Sequence, residues 1–135
     1  MSENLRRALP LVHVSDFAVA ERFYCEGLGF KPDWSYQPRP DAANPAFAAL
    51  SREGASIHVS SFPGDGVAGG VVSIYVHDVD ALFDEFSGRG LSIQLTPTDQ
   101  TWGNREMYLR DPDGNSLRFM QPLDPATDPS GERLD

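Results

Sequence analysis

Val12-His-Val-Ser-Asp-Phe-Ala-Val-Ala-Glu-Arg-Phe-Tyr24 and Ile74-Tyr-Val-His-Asp-Val-Asp-Ala-Leu-Phe-Asp-Glu-Phe86 are two copies of one pattern at a constant offset. Each opens on a short apolar strand, sets an Asp where a helix begins, and runs on into an amphipathic helix. Phe17, Ala20, Phe23, Tyr24 and Leu28 share one face of the first helix. Val79, Leu82, Phe83 and Phe86 share one face of the second, as the spacing of a helix with about 3.6 residues per turn requires. Ser15 or Asp16 is placed to cap the first helix. At the second, Asp78 is favoured over His77, because a side-chain oxygen satisfies the unpaired amides of a first turn. Gly27 and Gly29 stop the first helix, and Gly88 and Gly90 the second.

The segments after the two helices match as well. Phe30 to Tyr36, Ala46 to Ser51 and Ala55 to Ser60 read as strands after the first; Leu91 to Leu95, Arg105 to Arg110 and Asn115 to Gln121 read as strands after the second. Tight connections, Arg52-Glu-Gly54 and Asp111-Pro-Asp-Gly114, join the last two strands of each set, and each carries a Gly suited to positive φ. The expected architecture is α+β: two βαβββ modules, about 8–61 and about 71–121, in one domain spanning 1–122. The stretch GDGVAGG at 64–70 reads as the hinge between them, and residues 123–135 as a disordered acidic tail.

Period-two alternation assigns the faces. Val12, Val14, Ile57, Val59, Val72, Ile74, Leu117 and Phe119 are expected beneath the helices. The opposite face then presents Leu9, Leu11 and His13; Ser56, His58 and Ser60; Val71, Ser73 and Tyr75; Glu106, Tyr108 and Arg110; Ser116, Arg118 and Met120. A half-polar face on a curved sheet is better explained as a ligand cup than as a second core, since buried polar groups need partners.

A chain of 135 residues leaves no room for two large domains. With 40% hydrophobic and 23% charged residues and only short apolar runs, nothing approaches the ~20 residues of a membrane span. MSENLRRALP lacks the apolar core of a secretory signal, and the lone Cys25 excludes an internal disulfide or a Cys-based zinc cluster. A cytoplasmic location is expected. Twenty acidic against 11 basic residues give a net charge of −9, a field that disfavours nucleic acid and anionic membranes and favours cationic ligands.

The strand and helix ending in Phe23-Tyr24 and Leu28-Gly-Phe30, with Arg105-Glu106 leading into Arg110-Asp-Pro-Asp-Gly-Asn115, resemble the vicinal oxygen chelate superfamily of glyoxalases, extradiol dioxygenases and bleomycin resistance proteins. The resemblance spans roughly 8–121 and implies paired modules whose sheets curl into a cup, commonly completed by a homodimer. In the superfamily's enzymes a divalent metal is held from the first and fourth strands of both modules; the matching positions here are Leu9, His58, Val71 and Arg118. Only His58 of these ligates a metal, and Arg118 sets a permanent cation at the site. The resemblance thus implies no metal, no cofactor and no catalytic residue, and is nearest to the metal-free bleomycin resistance proteins, which bind the antibiotic and do no chemistry on it. Trp102-Gly-Asn-Arg105-Glu106 and Glu53-Gly-Ala-Ser-Ile-His58-Val-Ser60 resemble their segments. Pro10 lies near the proline that in those proteins fixes an N-terminal strand exchanged between subunits.

The function this implies is non-catalytic sequestration of a cationic or aromatic, bleomycin-like small molecule in cups at a homodimer interface, with or without exchanged strands. Trp34, Phe62 and Trp102 are expected to supply apolar faces, and His58, Glu106, Tyr108 and Arg118 polar groups. Arg118 opposes a cationic ligand unless an acid such as Glu106 neutralises it, so a ligand with an anionic or carbonyl group is the other option. The competing expectation is a metal-dependent glyoxalase- or dioxygenase-like enzyme using His13, His58 and Glu106 as a two-His-one-carboxylate set. Cys25, mid-helix between aromatic positions, reads as a small hydrophobe. Asp111, Asp113 and Asn115 read as a turn, because the Gly falls at the wrong step for a calcium loop and Pro122 stands where its closing Glu belongs. A phosphate-binding loop and a nucleophile elbow are both missing.

Overall fold

The computed structural model describes residues 3–124 and residue 126. Its elements run β1 (Leu11–His13), α1 (Phe17–Glu21) continued by a π-helical turn (Arg22–Gly27), β2 (Lys31–Tyr36), β3 (Phe47–Arg52) and β4 (Ala55–Ser60). The second module repeats the order with β5 (Val71–Tyr75), α2 (Val79–Gly88), β6 (Leu95–Asp99), β7 (Asn104–Arg110) and β8 (Ser116–Pro122). Each module forms its own sheet, in the order β1-β4-β3-β2 and β5-β8-β7-β6. β1 runs parallel to β4 and β5 parallel to β8, while the other pairs are antiparallel. The duplicated α+β plan is therefore the fold.

Asp16 is the cap of α1, accepting from the Ala18 and Val19 amides, and Asp78 caps α2 through the Ala81 amide at 3.0 Å. Replacing Asp78 with Ala is expected to cost about 1 kcal/mol. Urea unfolding reads this as a lower midpoint, and an unmoved midpoint shows that the cap carries no weight. All eight residues expected beneath the helices pack there: Val12, Val14, Ile57, Val59, Val72, Leu117 and Phe119 are buried in one continuous core with Phe86, Leu28 and Met107, and half-buried Ile74 packs against it.

Three expectations need correction. The strand expected at Leu91–Leu95 begins only at Leu95; Leu91 and Ile93 instead pack against the core from the connecting segment. The match with the first module suggested a strand, but the partner decides: β6 is an edge strand pairing Thr98 with Glu106 and Asp99 with Arg105. In the first hairpin it is Glu53, at φ 52°, and not Gly54 that adopts positive φ, whereas Gly114 does so in the second at φ 84°. The first helix does not stay α-helical to its end; Leu28 N–H reaches back five residues to the Phe23 carbonyl. Beyond 123, 124 and 126 the expected tail lies outside the described residues.

The two modules are clamped together by the turn between β7 and β8. Buried Asn115 accepts from the Gly69 and Gly70 amides at 2.9 and 3.1 Å, and donates to the His13 carbonyl and to Asp111 Oδ2, both at 2.9 Å. Tyr24, fully buried, donates its hydroxyl to Asp111 at 2.7 Å, and burial beside that carboxylate drives the hydroxyl's pKa upward. Ser15 N–H donates to Asp113. On the helix side, Arg52 forks onto Glu85 with both contacts at 2.9 Å, and Arg89 joins the same carboxylate at 2.7 Å. Each of these bonds except the Asn115–Asp111 and Arg89–Glu85 contacts crosses between modules or into the hinge, so the relative placement of the two sheets is strongly determined.

Candidate ligand-binding faces

Register places Trp34, His58, Glu106, Tyr108 and Arg118 on the outer sheet faces, while Phe62 and Trp102 lie in loops. In the first module, Trp34 stands opposite Ala49, Tyr36 opposite Phe47, Ala49 opposite His58, and His58 opposite Leu11. The result is an aromatic surface: Trp34 stacks on Phe47 with centroids 5.3 Å apart, His58 meets Phe47 edge-on at 5.0 Å, and Tyr36 stacks on Phe62 at 6.0 Å. Trp34 and Tyr36 remain 54% and 55% exposed, more than two packed core rings would be. Phe47 and Tyr36 were not singled out from the sequence, although strand alternation with Trp34 is a signal for Tyr36.

The second module's outer face is polar and organised around Glu106, which is 2% exposed. Its carboxylate accepts from Trp102 Nε1 at 2.8 Å, Asn104 Nδ2 at 3.1 Å and the Tyr108 hydroxyl. Burial pushes the Glu106 pKa up, but the bonds from Tyr108, Trp102 and Asn104 and the nearby Arg118 charge outweigh it and hold the acid below its ordinary value. The bond to Glu106 likewise raises the Tyr108 hydroxyl. Arg118, opposite Tyr108 in the ladder, lays its guanidinium over the Tyr108 ring, 4.7 Å from the centroid. Trp102 is pinned by its N–H yet 63% exposed, so its ring is presented in a fixed pose.

Arg105 does not pair with Glu106. It points to the other side of β7 and bonds Asp80 and Asp99, as alternation along a strand requires. His13 is not hydrogen-bonded through Nδ1, which is buried without a partner. The set His13, His58 and Glu106 does not assemble within one chain: the two histidines belong to the first sheet and Glu106 to the second, and among the described residues no three His, Cys, Asp or Glu side chains come within metal-binding reach of one another. Leu9 precedes β1, while His58, Val71 and Arg118 lie in β4, β5 and β8. Burial, with Glu21 and Glu26 nearby, raises the Cys25 thiol, consistent with an inert side chain. Among the described residues no helix is long and apolar enough to cross a membrane.

A cleft of about 640 Å³ is lined by residues of both modules, from β4 and β5 among others, with Leu28, Ile57, Val72 and Phe86 in its wall. None of the seven expected ligand residues lines it.

Paired βαβββ modules, each with a sheet face turned away from its helix, form the scaffold that carries these side chains. Residues 2–125 match the family model described as "Glyoxalase superfamily protein", and the chain belongs to that superfamily. An uncharacterised protein of Bacillus subtilis (strain 168), YraH, is 27% identical over 119 residues, covering 82% of this chain and 93% of that one. Among solved structures, TnmS3, an antibiotic binding protein from Streptomyces sp. CB03234, is 28% identical with a TM-score of 0.68, over 89% of this chain and 99% of its own. A bleomycin-binding protein complexed with bleomycin shares the fold at a TM-score of 0.67 and 23% identity, over 87% and 98% of the two chains.

Proposed function

We propose that the protein is a non-catalytic binding protein that sequesters an aromatic or cationic, antibiotic-like small molecule, in cups formed where the aromatic face of one subunit meets the polar face of a second in a cytoplasmic, metal-free homodimer. The observation that carries this reading is the complementary pair of open faces. One offers Trp34, Phe62 and His58; the other offers Trp102, Glu106, Tyr108 and Arg118. Trp34, Tyr36, Val71, Tyr75 and Trp102 are all exposed on a single chain, a load of apolar surface that marks a binding or interaction face. The antibiotic-binding relative supports the ligand class.

The chain's two tryptophans, Trp34 and Trp102, both sit on these faces, so intrinsic fluorescence reports the site directly. Titration with bleomycin is expected to quench it saturably at micromolar drug, with sedimentation giving a dimer. Absent quenching removes this antibiotic from the reading. About one divalent ion per chain in protein purified without chelator, lost on His58→Ala, establishes the enzyme reading instead.

A further inference from the structure

The second module's face contains a cation with unsatisfied hydrogen-bonding capacity. Arg118 is half-buried, its Nε is buried without a hydrogen-bond partner, and among the described residues its guanidinium makes no hydrogen bond or ion pair. A guanidinium carries five donors in a planar fork, and a buried donor left without a partner is destabilising. The neighbouring acid offsets the charge but accepts none of these donors. Both Glu106 oxygens already receive donors, from Trp102, Asn104 and Tyr108. The Tyr108 ring lies under the guanidinium and holds its plane without taking a proton donor from it. Alongside, Trp102 offers a fixed, exposed ring.

We propose that this face recognises a planar aromatic ligand bearing an acidic oxygen, a carboxylate or an ionised phenol, with that oxygen in the fork of Arg118 and the ring system against Trp102. The inference rests on the binding reading above and fixes the ligand's charge. The net charge of −9 does not oppose it. Surface charges are screened over about 8 Å at physiological salt, whereas a charge-assisted fork acts at contact and is among the stronger hydrogen bonds. Ser73, exposed and beside Arg118 in the ladder, is positioned as a neutral neighbour for the same oxygen.

Three probes of one ring system test this by titration calorimetry on the full chain at neutral pH: 2-naphthoate, neutral 2-naphthamide and cationic 2-naphthylmethylamine. The carboxylate is expected to bind at least tenfold more tightly than either of the others. Arg118→Gln is expected to abolish that preference, so that carboxylate and amide bind alike, and Arg118→Lys to retain part of it, since charge survives and the fork does not. The wild-type comparison needs no variant to fold. Equal or tighter binding of the amine, or an undiminished preference in Arg118→Gln, overturns the charge assignment while the binding reading stands. Failure of all three rings to bind at millimolar concentration overturns both.

Discussion

Asn115→Ala is expected to lower the unfolding free energy by about 3 kcal/mol, a large share of the 5–15 kcal/mol typical of a domain. The side chain is 1% exposed and makes four hydrogen bonds, to Gly69, Gly70, His13 and Asp111. Truncation strands two amide donors and a carbonyl at once and leaves Asp111 Oδ2 with the Tyr24 hydroxyl alone. The expected cost is below the full sum because the glycine amides lie near the surface, where water substitutes. Asn115→Asp is expected to be no better: it keeps the acceptor but turns the donor toward Asp111 into a second carboxylate. Urea denaturation measures both, and hydrogen exchange should quicken first at Gly69 and Gly70. A variant with wild-type stability and unchanged exchange there sinks the clamp as described.

Glu106→Ala carries the second large effect, a loss of about 2 kcal/mol together with a loosened Trp102. Three donors lose their common acceptor, and Arg118 loses the charge that offsets it. Glu106→Gln recovers only part, because one amide oxygen replaces two and its NH₂ faces other donors. The pH dependence comes from the depressed acidity. The folded state binds this proton less readily than the unfolded chain, so the carboxylate's contribution is fully present above the ordinary glutamate range and fades as pH falls through the folded pKa. Wild type and Glu106→Ala should therefore converge in stability as the solution is acidified below about pH 4. Parallel curves with no convergence contradict the assignment. Glu85, held down by its hydrogen bond to Arg52 against the opposing pull of burial, adds an acid-labile contribution of the same sign at the module junction.

Much of the fold was legible because it is written twice. The repeat announces the βαβββ order, and alternation separates Val12, Ile57, Val72 and Leu117, which pack inward, from His58, Tyr108 and Arg118, which face out. Helix starts were readable because an Asp side chain acts within its own turn. What was not legible depends on partners distant in sequence. β6 begins late because its pairing with β7 sets its limits. Gln121 supplies a second acceptor at the start of α2 from a strand 42 residues away, and the Arg52–Glu85–Arg89 cluster joins different modules. Of the seven candidate residues, His58, Glu106, Tyr108 and Arg118 were assigned a face by strand parity, and Trp34, Phe62 and Trp102 by type and position beside loops. That Glu106 gathers Trp102, Asn104 and Tyr108, leaving Arg118 unbonded, emerges only from their juxtaposition.

The clamp at the β7–β8 turn divides the two halves of the duplication unequally. Asn115, Asp111 and Asp113 all come from the second half, yet apart from the Tyr24 hydroxyl what they grip in the first is main chain: the His13 carbonyl and the Ser15 amide. Any residue supplies that carbonyl, and any but proline that amide. One half is thus free to drift in sequence around the grip, while the half that holds it is not, so a symmetric ancestor would diverge at two different speeds.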